Sequence, residues 1–296
     1  MQGTKEIKER INSIKDTQKI TNAMYLISST KLQKAKRSLD ETEPYFFSIQ
    51  AMMERLLRHL PNIDHEYFNQ HTEMPEEEKI SAFLVVTADK GLAGAYNHNV
   101  LKLTEENIKS KNNFKLFVVG EVGRHYFEKK NIPVEEEFKY TAQNPSLHRA
   151  RMISLTMLDL YRQGQIHELN IIFTTIRSSM DSNANVKQLL PLKVSIPQLS
   201  VPMDVYHEEF FLKPSTEAVV DYVVPNYLNG FIYSALVESF CAEQNSRMMA
   251  MQSANDSANK ILHDLSIKYN RVRQSNITQE ITEVTSGAKA LRGHRR

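Results

Sequence analysis

Tryptophan is absent from the chain and cysteine occurs once, as Cys241. One thiol excludes an intramolecular disulfide framework and fits a reducing compartment. With no histidine or second cysteine beside it, Cys241 reads as a small apolar packing residue. Glycine and proline are also scarce, 9 and 10 among 296 residues, as expected of a helix-rich chain with few turns. No uncharged apolar run approaches the roughly 18 residues a bilayer span needs. The opening MQGTKEIKERI lacks the apolar core of a secretory signal, so membrane attachment is expected only through partners. A strong excess of one charge is missing too, the formal net charge being +2.

The charge that is present is unevenly placed. Residues 1–37 carry nine Lys/Arg against three Asp/Glu, and the closing KALRGHRR adds four bases and no acid. Acidic runs at Glu76–Glu78 and Glu135–Glu137 offset them. Such asymmetry points to an acidic partner surface. No aromatics interleave with the bases and no nucleic-acid module is present, so a protein-facing or solvated helix face is the expectation and no nucleic acid is implied.

Three zones separate by hydrophobic period. In residues 1–60, Ile7, Ile11, Ile14, Gln18, Thr21, Tyr25, Ser28, Leu32, Ala35 and Leu39 recur at heptad spacing, beside a second stripe of Ile20, Met24 and Ile27. Pro44 removes one backbone hydrogen bond and predicts a kink. The polar stretch around Pro61–Pro75 reads as a linker. Within 76–205, strands are expected at Ile80–Thr87, Phe114–Gly120 and Leu169–Thr175, and helices at Asn97–Lys109, Glu121–Lys130 and Ser146–Gln163. This alternation predicts a parallel sheet with right-handed crossovers. In 216–296 a helical pattern runs on after Pro225, through Met251, Asn255, Ala258, Leu262, Leu265, Tyr269 and Val272, then with a one-residue shift through Ile277, Ile281, Val284, Ala288 and Leu291. A helix of sixty-odd residues is about 95 Å long and needs a partner helix, which only the N-terminal segment offers. The predicted fold is α/β: a long antiparallel two-helix coiled coil from the terminal segments, with a small, open, mostly parallel, Rossmann-like domain inserted between them.

Catalytic patterns are weak. The loop DKGLAGAYN, Asp89–Asn97, precedes a helix, where a phosphate could sit, but it matches neither the dinucleotide fingerprint nor the phosphate loop and reads as a tight strand-to-helix turn. His59, His65 and His71 lack the spacing of adjacent metal ligands on a helix and read as solvated linker residues. Asp89 and Lys90 read as a surface ion pair rather than an acid–base couple. Neither catalytic, cofactor-binding nor metal-binding residues are assigned.

Two long ordered stretches carry a resemblance. KEIKERINSIKDTQKITNAM over Lys5–Met24, with STKLQKA over Ser29–Ala35, resembles the opening of the gamma subunits of F-type ATP synthases. RMMAMQSAND over Arg247–Asp256, RQSNITQEITE over Arg273–Glu283 and SGA over Ser286–Ala288 resemble their ending; VTADKGLAG over Val86–Gly94 and QLLPL over Gln188–Leu192 extend the likeness through the middle. The resemblance implies a non-catalytic central shaft, one copy per complex, turned by the membrane ring of c subunits and driving the alpha and beta subunits of the catalytic head, with the epsilon subunit beside its central domain. It implies a peripheral position on the cytoplasmic face of the bacterial plasma membrane. By position, Met24, Arg273, Gln274 and Thr278 match family residues touching alpha and beta, and Ser286, Gly287, Ala288 and Leu291 match the tip that turns in its bearing.

Departures from the family pattern are Asn22 for a common Lys, Ala93 and Ala95 for a common Cys and Gly, Lys213 before Pro214 for a frequent Glu, and the tail Arg292–Arg296. They suggest a divergent or second-operon copy and keep an alternative open, a structural coiled-coil adaptor without motor function.

Overall fold

The computed structural model describes residues 2–59, 65–69, 71, 73–178, 181–192 and 212–293, without the side chains of 2, 58, 59, 177, 178, 181 and 289–293. Five α-helices and four strands alternate along it: α1 Gln2–His59, β1 Ile80–Val86, α2 Tyr96–Lys109, β2 Asn113–Val119, α3 Glu121–Lys129, α4 Leu147–Arg162, β3 Glu168–Ser178, β4 Asp181–Leu190 and α5 Thr216–Gly293. The chain forms two compact units, one of residues 29–247 and one joining 1–28 to 248–296.

The larger unit is built on a sheet of order β2-β1-β3-β4. β1 pairs in parallel with both β2 and β3, and β4 returns antiparallel to β3. Apolar side chains run continuously along β1 because both its faces are covered. Alternate residues then serve different cores. Ala82, Leu84 and Val86 pack with Ile153, Met157 and Leu158 of α4, with Val224, Leu228 and Ile232 of α5, and with Met53 and Leu56 of α1. Phe83 and Val85 pack with Val100, Leu101 and Ile108 of α2 and Phe127 of α3. Burying each such side chain stabilises by about 1.5–3 kcal/mol. The crossover from β2 to α3 turns at Gly120, whose φ is 96° and where an added Cβ would stand 2.4 Å from the Thr87 carbonyl oxygen. Only glycine fits there.

The expected parallel strands and their helices are present, within a residue or two at most ends. Four readings need correction. β4 gave no strand signal, because DSNANVK opens with polar residues of poor β-propensity; its place is fixed by the ladder to β3. α5 begins at Thr216 rather than after Pro225, since the Ser215 hydroxyl accepts from the Ala218 amide at 3.2 Å and buried Val220, Val223 and Val224 hold the first turns. α1 likewise runs unbroken through Pro44. The polar stretch before β1 is anchored rather than solvated: Glu66–Phe68 form a 3₁₀ turn with Tyr67 and Phe68 buried, and the Tyr161 hydroxyl donates to the Glu66 carbonyl at 3.1 Å.

In the smaller unit the first part of α1 and the last part of α5 pair antiparallel. Ile7, Ile11, Ile14, Gln18 and Thr21 are half-buried and Ser28 is buried. Opposite them Met251 is buried, and Asn255, Ala258, Leu262, Leu265, Tyr269, Val272 and Asn276 are half-buried. This three-four alternation is the seam of a two-helix coiled coil.

Candidate functional surface

Polar side chains bond across that seam. The Gln18 amide donates to Asn259 Oδ1 at 2.7 Å, the Thr21 hydroxyl donates to Asn255 Oδ1, and Asn255 Nδ2 donates to Asn22 Oδ1. Asn22 is therefore part of an Asn–Asn–Thr cluster, a role that its reading as a departure from a common Lys did not anticipate. At this register each step towards the start of α1 is a step towards the end of α5, and α1 runs out opposite Asn276.

Beyond Asn276, α5 continues to Gly293 with no segment of α1 left to meet it. Ile277, Ile281 and Val284 are 47%, 60% and 72% exposed. The sequence reading placed these residues on the coiled-coil seam after a one-residue shift. Instead the half-buried series ends with Asn276, and the Ile277 stripe lies roughly a third of a turn round the helix from it, at about 100° per residue. Sequence period alone could not tell a stripe that meets α1 from one that meets nothing among the described residues, because both are apolar at helical spacing.

The assigned contact residues fall around this stripe. Arg273, Gln274 and Thr278 are exposed, and with Ile277 and Ile281 they occupy an arc of about 140° on α5. The Thr278 hydroxyl donates to the Gln274 carbonyl at 2.9 Å, leaving both Arg273 and the Gln274 amide facing outward as multiple donors. Met24 is half-buried on α1, on the other helix of the pair. Ser286, Gly287 and Ala288 are exposed near the end of α5, and Gly287 has nothing within 4 Å of where a Cβ would stand. The side chain of Leu291 lies outside the described residues.

In the larger unit the loop after β1 is a latch. Arg247 Nη2 donates to the carbonyls of Lys90 and Gly91 at 3.1 and 3.2 Å, while Nη1 donates to Glu243 Oε1 at 2.5 Å. The Ser246 hydroxyl donates to the Ala93 carbonyl at 2.7 Å, and Asn97 Oδ1 accepts from the Ala88 amide at 2.9 Å. A phosphate cradle offers amide donors; this turn offers carbonyls to a guanidinium, which is the chemistry of a structural clasp. Burial raises the Glu243 carboxyl above its ordinary range, and Arg247 opposes that rise. Glu243 and Ser246 carry no sequence signal beyond their place in an amphipathic helix, and Arg247 only opens the stretch that resembles the family's ending, so the latch itself was legible only in three dimensions.

The remaining titratable candidates resolve similarly. Among the described residues no ion pair joins Asp89 to Lys90; the Asp89 carboxylate instead accepts from the Ala142 and Gln143 amides at 3.1 Å each and from the Thr141 hydroxyl. His65 Nδ1 accepts from the Tyr67 amide at 3.4 Å, and the His71 ring stands edge-on to His167 at 5.3 Å. Burial, with His167 and Lys79 adding to it, lowers the His71 pKa. The side chain of His59 lies outside the described residues. No group of three or more His, Cys, Asp or Glu residues able to hold a metal occurs among the described residues. No helix among the described residues is long and apolar enough to cross a membrane.

Residues 3–291 match the family described as ATP synthase. The ATP synthase gamma chain of Acetivibrio thermocellus is 42% identical over 292 residues, covering 97% of this chain and 98% of the relative. The gamma chain of Caldanaerobacter subterraneus is 41% identical over 296 residues, covering 97% and 99%. A chain of the Euglena gracilis mitochondrial ATP synthase, solved with OSCP, F1 and c-ring, shares the fold with a TM-score of 0.71 at 14% identity, over 99% of this chain and 96% of that one. With the family matched from residue 3 to 291, and relatives above 40% identity spanning nearly the whole length, the chain belongs to the ATP synthase gamma chain family.

Proposed function

We propose that the chain is the central rotor shaft of an F-type ATP synthase. It couples ion flow through a c-subunit ring to the conformational cycle of the catalytic beta subunits. It has no catalytic site of its own, and its partners are the alpha and beta subunits, the epsilon subunit and the c-ring, with one copy in each complex. It meets the membrane only through those partners, on the cytoplasmic face of a bacterial plasma membrane.

The observation that carries this reading is the unpartnered end of α5. An apolar stripe of Ile277, Ile281 and Val284, 47–72% exposed, is costly in water and gains by insertion into an enclosing surface. Around it Arg273, Gln274 and Thr278 offer donors, and the small residues Ser286, Gly287 and Ala288 keep the end slender. We assign Arg273, Gln274, Thr278 and, on α1, Met24 to the alpha and beta contacts, and the segment from Ser286 to Leu291 to the bearing. A surface that must slide past three equivalent partners works with shallow apolar contact and few deep hydrogen bonds.

Affinity purification of the full chain from its own cells tests the proposal. Recovery of alpha, beta, epsilon and c subunits at one shaft per complex, with ATP hydrolysis coupled to ion pumping in vesicles, is expected. Recovery of the chain without alpha and beta would reject the shaft and leave the coiled-coil adaptor.

A further inference from the structure

Between the second half of α1 and the first half of α5, inside the larger unit, lies a cavity of about 230 Å³. Its walls include Phe46, Tyr227 and Phe231, with Glu43 and Glu238 as their two carboxylates. Three features make it more than a packing defect. First, the rings are held from behind: Phe46 lies 5.6 Å from Tyr233, and Phe231 lies 5.8 Å from Phe173 and 6.5 Å from Tyr227. Second, the cavity lies where bare backbone gives a ring room, since a Cβ on Gly230 would stand 2.4 Å from Phe46 Cδ1. Third, no ion pair neutralises Glu43 or Glu238 among the described residues, and the Ser234 hydroxyl reaches Glu238 only at 3.5 Å.

Carboxylates set among aromatic rings recognise one chemistry well. A cation carrying its own apolar surface satisfies the acids by charge and the rings by cation–π attraction, which is why aromatic cages take quaternary ammonium groups. A metal ion is unsuited, because only two carboxylates line the space and, among the described residues, no group of three His, Cys, Asp or Glu able to hold one occurs. An anion is repelled by both glutamates. We propose that this cavity binds a small organic ammonium ion, its apolar body among Phe46, Tyr227 and Phe231 and its charge facing Glu43 and Glu238.

Size and charge agree with that class. At about 30 Å³ per non-hydrogen atom, the liquid volume of one water, the cavity takes roughly seven or eight such atoms. Burial raises the Glu238 carboxyl above its ordinary range, Ser234 opposes the rise and Glu43 adds to it. A bound cation relieves both the desolvation and the repulsion. The ammonium of Lys187 sits 4.4 Å from the Phe231 centroid, an intramolecular instance of the same attraction; Lys187 is on β4 and does not line the cavity.

Titration of the full-length chain with choline, and with its uncharged isostere 3,3-dimethylbutan-1-ol, reads the charge term directly. Saturable choline binding by calorimetry is expected, with the isostere at least tenfold weaker. Glu238→Gln keeps the shape of the side chain and removes a half-buried charge, so its melting temperature should hold or rise while choline binding weakens at least tenfold. Glu43→Gln, at an exposed position, should weaken it less. Equal binding of the isostere, undiminished binding by Glu238→Gln, or no saturable binding at millimolar choline would each overturn the site. Repeating the titration on the assembled complex tests whether the cavity stays open there: binding as in the free chain is the expected result, and loss of binding would overturn a role in the working assembly.

Discussion

α5 lives two lives along one helix. Between Val220 and Asn245 it is buried nearly all round, with Val220, Val224, Leu228, Ile232 and Ala242 at 0% exposure. Between Gln252 and Ala288 no residue is buried, and only one narrow stripe is even half-buried. The first stretch is a core element, held by the sheet helices and α1. The second is half of a two-helix coil and then, among the described residues, a helix without a partner. Stability in the larger unit therefore comes from volume-filling apolar packing, whereas the smaller unit has little to lose and much surface to offer. A part that must stay rigid and a part that must engage partners are written in the same secondary structure by different residue choice.

The sharpest way to break that comparison is to disarm the latch. Arg247→Met leaves Glu243 buried without its guanidinium, a change that costs about 3–5 kcal/mol. Chemical denaturation should show this loss in the larger unit, while hydrogen exchange along residues 255–276 stays as in the parent. The pH dependence has a definite sign. Glu243 already has a raised folded pKa, and removing Arg247 raises it further, so the variant suffers when the carboxyl is ionised. Its deficit should shrink as pH falls from neutral towards roughly pH 5. A deficit that grows in acid would mean that Glu243 is not the buried charge responsible.

A matched pair of truncations compares the units directly. Leu84→Ala in β1 removes a side chain at 0% exposure and should cost about 2–5 kcal/mol, a cavity in a core that cannot collapse. Leu262→Ala on the half-buried coil seam should cost less than about 1.5 kcal/mol. Equal losses in urea melts would show that the two regions are packed alike.

These contrasts were unequally visible in the sequence. The strands β1 and β2 were legible because unbroken apolar runs admit little else, and the seam from Ile7 to Val272 because heptad spacing survives polar substitutions. β4 was hidden by its polar opening, and the early start of α5 by Pro225, which local rules treat as a break although nine residues of capped helix, with Val220, Val223 and Val224 buried, precede it. Met24, Arg273, Gln274 and Thr278 came from resemblance, since nothing in a lone exposed Arg or Thr marks a contact. The Asn22–Asn255–Thr21 cluster and the Glu243–Arg247 clasp required the register and the fold respectively.

Register itself supplies the next test. Asn255→Leu replaces a polar seam residue that bonds Thr21 and Asn22 with an apolar one. It should leave the smaller unit as stable or more stable, by about 0.5–1 kcal/mol, and less strictly aligned. Cysteines at Gln18 and Asn259, whose amides meet at 2.7 Å, report the alignment: crosslinking should fall in the Asn255→Leu background. Unchanged crosslinking would assign register to the apolar positions instead.

The smallest effect on stability should accompany the largest separation of stability from function. Ile281→Ser lies on the unpartnered part of α5, where the side chain is 60% exposed, so the isolated chain should melt within about 0.5 kcal/mol of the parent. Arg273→Ala should be equally silent there. On the proposed contact assignment both remove, in the assembled enzyme, contacts that the free chain does not make, so ion pumping per ATP hydrolysed should fall in each. Hydrophobic loss at Ile281 weakens the grip at every angle. Loss of a multi-donor side chain at Arg273 acts only where an acceptor stands, so its effect should depend on the rotational position in single-molecule torque records. If Ile281→Ser instead destabilised the free chain by 2 kcal/mol or more, the end of α5 would be packed against something in its own chain, and the contrast between its core and its free end would fail.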